Sequence, residues 1–246
     1  MIKIKTAAEI EGIRKSCGLL SKMRDMILNY ISVGRKTADL AEMADEFIYS
    51  NSAKPAFTTA GFPSCICVSL NDEVVHGVPG DYVIRDGDLV SVDMGLILNG
   101  YFSDMAVSTV AGTASSKQQN LMDVTEESLK RGIAQFRAGN HLGDISHAIA
   151  LFAENNGFSV VRQFTGHGVG LELHEEPQIL NYGRPGTGPE LKNGMVFALE
   201  PMITAGSWEV KIDDNGWTAR TSDGSLSAHF EHTVALVDGV PEVLTA

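Results

Sequence analysis

The chain has 246 residues, 43% of them hydrophobic and 20% charged, which is enough to bury a sizeable core and too apolar for a disordered chain. Its formal net charge is −12 with the 19 Lys and Arg scattered, so direct binding of nucleic acid is not expected. Cys17, Cys65 and Cys67 make no disulfide framework, the opening Met1-Ile-Lys-Ile-Lys-Thr has no leader-like apolar core, and no apolar run approaches the roughly 20 residues that span a bilayer; a cytoplasmic protein without a membrane partner is the expectation.

Thr6-Ala-Ala-Glu9 reads as a capping box, and Ile10, Ile13, Cys17, Leu20 and Met23 follow at helical spacing, which predicts a first helix to about Tyr30. Thr37 is expected to cap a second helix carrying Leu40, Met43, Ala44, Phe47 and Ile48, with residues 51–55 stopping it. Strand-like sequence follows at residues 65–70 and 74–75, where Cys65-x-Cys67 reads as small buried strand residues because no second cysteine pair completes a thiolate site. Residues 89–98 and 101–110 flank Asn99-Gly100, a strong hairpin signal. Helices are predicted again over 117–136 and 145–156, the latter capped by Asp144, and strands over 159–164, 195–200 and 226–237. Helix, helix, then strands thus occurs twice, in halves of roughly 1–111 and 112–246 with no flexible linker between them. The predicted class is α+β, one domain over 1–246 built from two similar halves.

The halves also share a sentence. Ile84-Arg-Asp-Gly-Asp-Leu-Val-Ser-Val-Asp93 and Leu191-Lys-Asn-Gly-Met-Val-Phe-Ala-Leu-Glu200 match in pattern, and each ends in an acid. His76-Gly-Val-Pro79 and His174-Glu-Glu-Pro177 precede them in the same order. With a two-residue turn at Asn99-Gly100, Asp93 faces Ala106 and Asp104 faces Gly95, so the two acids become diagonal neighbours on one face, about 7–8 Å apart. Two like charges closing on an apolar strand are costly unless a cation or a proton compensates them, and divalent metals need oxygen ligands from several strands. Gly166-His167-Gly places a histidine where close backbone approach is allowed, without the Walker lysine or the strand-to-helix setting of a nucleotide loop.

Asp93 with Asp104, Gly166-His167-Gly, His174-Glu-Glu-Pro177, Leu199-Glu200-Pro201-Met202 and Ser225-Leu-Ser-Ala-His-Phe-Glu231-His-Thr233 together resemble the type I methionine aminopeptidases. The likeness runs from Ile4-Lys5-Thr6 through Gly61-Phe62-Pro63 and Val75-His76-Gly77 to the last strand. It implies the pita-bread fold, a pseudo-twofold antiparallel sheet covered by helices from both halves. It also implies two divalent metal ions (Co, Mn, Fe or Zn) held by Asp93, Asp104, His167, Glu200 and Glu231, with a hydroxide between them attacking the first peptide bond. Glu200 would also move protons, His174 would hydrogen-bond the scissile carbonyl, and His76 the amide on the leaving side. The methionine pocket would be lined by Thr59, Phe62, Cys67, Leu173 and Trp217, with an aromatic residue more usual where this chain has Thr59 and Leu173.

The activity implied is removal of the N-terminal methionine from nascent proteins when the second residue is small. Nascent polypeptide N-termini would be the partners, with the ribosome as a further one, and the enzyme a monomer. Two other readings stay open here. Prolidases and proline aminopeptidases share the fold and the metal ligands but usually carry a large N-terminal domain, and non-catalytic relatives bind proteins or RNA after losing ligands that this chain retains.

Overall fold

The computed structural model describes all 246 residues. In the first half, α1 (Ala7–Tyr30) and α2 (Thr37–Ser50) precede β1 (Lys54–Pro55), a short 3-10 turn (Phe57–Ala60), β2 (Ile66–Leu70), β3 (Glu73–Val75) and the hairpin β4 (Leu89–Leu98) and β5 (Tyr101–Val110). The second half runs α3 (Ser116–Gln135), α4 (Leu142–Asn155), β6 (Ser159–Val160), β7 (Gly166–Gly168), β8 (Glu175–Ile179), β9 (Val196–Leu199) and β10 (Met202–Thr204). It closes with β11 (Val210–Ile212), β12 (Ala219–Thr221), β13 (Ser227–His229), β14 (Glu231–Val237) and β15 (Val240–Val243).

The Thr6 capping box forms as expected, with Thr6 N–H donating to Glu9 at 2.7 Å and Glu9 N–H donating to the Thr6 hydroxyl at 3.3 Å. Below it, Ile10, Ile13, Cys17, Leu20, Met23 and Ile27 form a buried stripe. Two caps differ from expectation. Thr37 lies inside α2; Lys36 is the cap, and the Thr37 hydroxyl donates instead to the Gly80 carbonyl at 3.0 Å. Helix α4 starts at Leu142, so Asp144 sits in its first turn and accepts from His141 N–H (2.7 Å) and Gly186 N–H (2.8 Å). Gly143 permits this early start, since a Cβ there would fall 2.3 Å from the Arg184 carbonyl oxygen.

A nine-stranded sheet, antiparallel at every pairing, has the order β1-β4-β5-β14-β9-β7-β8, with β2 also on β4 and β15 also on β14. Helices α1 and α2 pack on one part, around Leu20, Met23, Leu40, Ile66, Val92 and Met94; α3 and α4 pack on the other, around Phe136, Ile145, Phe197 and Leu199. Each of these side chains, fully withdrawn from water, contributes about 1.5–3 kcal/mol. The arrangement is the α+β pita-bread architecture expected from the sequence. At the seam between halves β5 and β14 share only two register pairs, Glu231 with Ala106 and His232 with Met105, and hydroxyls complete the bonding. Thr233 Oγ1 donates to the Asp104 carbonyl at 2.7 Å, and Ser108 Oγ to the His229 carbonyl at 2.8 Å.

The predicted strand over 226–237 is broken at Phe230, and the one ending at Glu200 resumes after Pro201 as β10. These are one event. Proline lacks the N–H a ladder needs, so β9 ends, and β10 leaves with β13 (Met202 opposite His229) for a small sheet with β6 while β9 and β14 stay together (Leu199 opposite His232). Glu200 and Glu231 sit at that bend. The strand predicted over 159–164 keeps only Ser159–Val160, and β8, β11, β12 and β15 were not expected: the last three are too short to show a period, and β8 alternates in burial but buries Glu175 and Pro177 rather than an apolar series.

Candidate metal centre

The hairpin turn has Asn99 at φ 51° and Gly100 at φ 86°, the left-handed pair a two-residue turn demands, and the register places Asp93 opposite Ala106 and Asp104 opposite Gly95. Both acids therefore share a face. Glu231 opens β14 opposite Ala106, the residue that also faces Asp93, and Glu200 follows β9. On β7, His167 pairs with Ala198 of β9 and Gln178 of β8. Its flanking glycines are required: a Cβ at Gly166 would lie 2.5 Å from the Ala198 carbonyl oxygen, and one at Gly168 2.5 Å from that of Glu176.

The five residues converge. His167 Nε2 is 3.3 Å from Glu200 Oε1 and 3.7 Å from Asp104 Oδ2, and ligand atoms of Asp104, His167 and Glu231 all lie within 4.8 Å of one another. A second such triplet joins Glu200 and Glu231 to His229, a residue within a quoted motif to which the sequence assigned no role. Its signal was the strand period: His229 and Glu231 are two apart, hence on one side of an extended chain.

Burial pushes the carboxyls of Asp93, Asp104, Glu200 and Glu231 upward, and their mutual repulsion adds to the shift for the last three. Burial pushes His167 down to about 4, with the neighbouring His174 charge adding to it, so its imidazole is neutral and free to ligate. No basic side chain offsets the acids; Lys3, in the cavity wall, pairs with Glu172 at 2.9 Å. Asp93 Oδ1, Asp104 Oδ1 and Glu231 Oε1 are sealed from solvent with no hydrogen-bond partner. Orphaned buried carboxylate oxygens are costly as protein and apt as ligands, and a set of four carboxylates and one imidazole suits divalent Mn, Fe, Co or Zn. The residues fit a metal centre.

This cluster floors a cavity of about 790 Å³. His174 packs its ring edge-on to His167, centroids 4.5 Å apart, and burial lowers its pKa. His76 also lines the cavity, at φ 59°, a strained value for a non-glycine residue. It is held there by the Thr218 hydroxyl, which donates to its carbonyl at 3.2 Å, and by Gly77, where a Cβ would lie 2.2 Å from the Val68 carbonyl oxygen. Burial lowers the pKa of this imidazole as well.

Phe62, Cys67 and Leu173 form one apolar cluster with Ala56 and Phe57, and Trp217 stands edge-on to Phe62 at 5.3 Å. Cys67 lies opposite Asp93 in the β2–β4 ladder, so the apolar pocket touches the acids. Thr59 does not belong to it. The residue is exposed and its hydroxyl donates to the Ala56 carbonyl at 2.6 Å, while Phe57 and Ala60 of the same turn line the wall. Thr59 was named from the resemblance alone; in the 3-10 turn side chains recur every three residues, so Phe57 and Ala60 share a side that Thr59 does not.

Residues 11–238 match the model of metallopeptidase family M24. A methionine aminopeptidase of Clostridium perfringens is 46% identical over 246 residues, covering 100% of this chain and 99% of that protein. The crystal structure of methionine aminopeptidase from Rickettsia prowazekii superposes with a TM-score of 0.98 at 40% identity, covering 100% of both chains. That from Thermotoga maritima gives 0.97 at 42% identity, over 100% of this chain and 99% of the other. With these matches over a chain whose buried acids and histidine converge in one cavity, the protein belongs to metallopeptidase family M24.

Proposed function

We propose that this metallopeptidase is a methionine aminopeptidase that removes the N-terminal methionine of nascent polypeptides when the second residue is small. Asp93, Asp104, His167, Glu200 and Glu231 would hold two divalent ions. When bound, the ions supply Lewis acidity towards water and towards the scissile carbonyl. The observation that carries the assignment is the meeting of partnerless, cation-free carboxylates with an apolar pocket at one cavity floor.

Phe57, Phe62, Cys67, Leu173 and Trp217 receive the methionine side chain, whose flexible thioether suits a pocket of aromatic and sulfur surfaces. Glu200 takes a proton from the attacking water and passes it to the departing amine, a role that suits a carboxyl whose pKa is raised by burial. His174 donates to the scissile carbonyl oxygen as negative charge develops on it, and His76 contacts the amide on the leaving side. Both imidazoles are held neutral by burial, so each offers one N–H without adding charge to the site.

The whole chain acts as one catalytic domain whose halves run over roughly 1–111 and 112–246, the first supplying Asp93 and Asp104 from the β4–β5 hairpin and the second Glu200 and Glu231 from the paired strands β9 and β14. A monomer in the cytoplasm, meeting nascent chains at the ribosome, is the working context; no helix is long and apolar enough to cross a membrane. The test is hydrolysis of a Met-Ala-Ser peptide and an X-Pro peptide before and after chelation, with Mn, Fe, Co or Zn restored. Metal-dependent cleavage of Met-Ala-Ser alone is expected. Cleavage of X-Pro alone would make the protein a prolidase, and cleavage of neither under any metal would remove both activities.

A further inference from the structure

His229 lies outside the five-ligand set, yet the geometry ties it to that set. It is 1% exposed, and its backbone is fixed on both sides: its N–H donates to Ser108 Oγ at 3.0 Å and its carbonyl accepts from the same hydroxyl at 2.8 Å. The backbone that carries the ring is thereby anchored on both sides. Nε2 stands 3.9 Å from Glu200 Oε2 and 3.9 Å from Glu231 Oε2, sealed from solvent and without a partner.

Glu200 and Glu231 line the cavity and His229 does not, so the two carboxylates stand between the cavity and the imidazole. Glu200 turns Oε1 towards His167, at 3.3 Å, and Oε2 towards His229. We propose that His229 is a positioning residue of the metal centre, whose Nε2–H is the donor that orients Glu200 and Glu231 from behind and leaves their other oxygens for the ions. The inference rests on the assignment of these carboxylates as metal ligands. A ring nitrogen facing two acceptor oxygens and no donor carries its proton there, and a shift of about 1 Å converts 3.9 Å into a hydrogen bond. Outer partners of this kind fix the rotamer of a ligating side chain, and their loss weakens metal binding about 10–100-fold.

The test compares Co(II) binding by the wild-type chain, His229→Gln, which keeps an N–H donor, and His229→Leu, which has none. Dissociation constants come from calorimetry and the coordination sphere from the visible Co(II) spectrum. His229→Leu is expected to raise Kd at least about tenfold, and His229→Gln to restore it to within about threefold with wild-type bands. Should leucine prevent folding, judged by far-ultraviolet circular dichroism, His229→Asn replaces it, since its shorter amide falls short of both carboxylates and predicts the same loss. An unchanged Kd in the donor-free variant would overturn the proposal. Equal weakening in the glutamine variant with altered bands would overturn it too, making His229 a direct ligand. Wild-type protein that takes up no Co(II) would overturn the metal assignment itself and this inference with it.

Discussion

Lys5 and Glu175 form an ion pair of 2.6 Å whose side chains are 1% and 0% exposed, joining the segment before α1 to the residue that follows His174. Glu175 Oε1 also accepts from the N–H groups of Leu171 (2.8 Å) and Glu172 (3.1 Å), so one carboxylate folds the loop that carries Leu173 and His174 into the cavity. Removing one partner of a buried pair leaves the other charge uncompensated, at a cost of about 3–5 kcal/mol. Lys5→Met is therefore expected to lose that much stability in urea unfolding. Lys5→Met with Glu175→Gln recovers most of it, because glutamine still accepts from Leu171 and Glu172 and no buried charge remains.

Glu200→Gln removes the proposed proton carrier but keeps side-chain size. Turnover of a Met-Ala-Ser peptide is expected to fall about 10²–10⁴-fold, while the peptide, followed by equilibrium dialysis, still binds. Retention of more than about a tenth of the rate would assign proton transfer elsewhere.

The two histidines separate in kinetics. His174→Ala, which removes the proposed donor to developing charge, should lower kcat about 10²–10³-fold with little change in KM. His76 stands at a left-handed backbone position beside Gly77, so Gly77→Ala should reproduce part of the His76→Ala defect without touching the ring, since its Cβ cannot coexist with the Val68 carbonyl 2.2 Å away.

Pocket variants test the placement of Thr59. Thr59→Ala should leave KM for methionyl peptides unchanged, its hydroxyl bonding only the Ala56 carbonyl. Phe62→Ala opens the wall against which Trp217 and Phe57 rest edge-on, and a tenfold or larger rise in KM is expected, about what one or two methylenes are worth in an apolar site.

Metal and protons compete at the centre, which sets a pH dependence. Burial raises Asp93 to about 7 and Asp104, Glu200 and Glu231 well above the usual carboxylate range. In metal-free protein the folded state holds these protons while the unfolded chain has released them, so stability is lost as pH rises through neutrality. His167, His229 and His232 act in the opposite sense. They are lowered by burial to about 4, 3 and 4, so the unfolded chain binds their protons first and stability is lost as pH falls from the usual histidine range towards 4. Chelated protein should show its highest Tm in mildly acid solution, and the rise in Tm on adding a divalent ion should be larger at pH 8 than at pH 6, as read by differential scanning fluorimetry.

The hairpin and its two acids were legible because Asn99-Gly100 specifies a two-residue turn, and the turn specifies register. Asp93 and Asp104 then follow from alternation alone. Glu200 was legible as an acid closing a strand and Glu231 only through the family's motif, but the bend they occupy was not legible, since it depends on β10 and β13 leaving the sheet together, a pairing between segments distant in sequence. The start of α4 was misread because Gly143 looks like a break until the loop at 184–188 packs on it. Thr59 was misplaced for want of a signal that residues 57–60 form a 3-10 turn, and His229 was overlooked because, two positions before Glu231, it resembled an ordinary strand residue.

The seam between β5 and β14 gives the centre a place in the order of synthesis. Asp93 and Asp104 are on the chain early, but the acids that complete the set lie at Glu200 and Glu231, the latter on a strand that pairs with β5 only after most of the chain exists. A contact so distant in sequence forms late, once the loop between its ends has been closed. A chain that ends before Glu231 lacks β14 and with it one acid of the proposed centre, so hydrolytic competence is expected only once nearly the whole chain has been made.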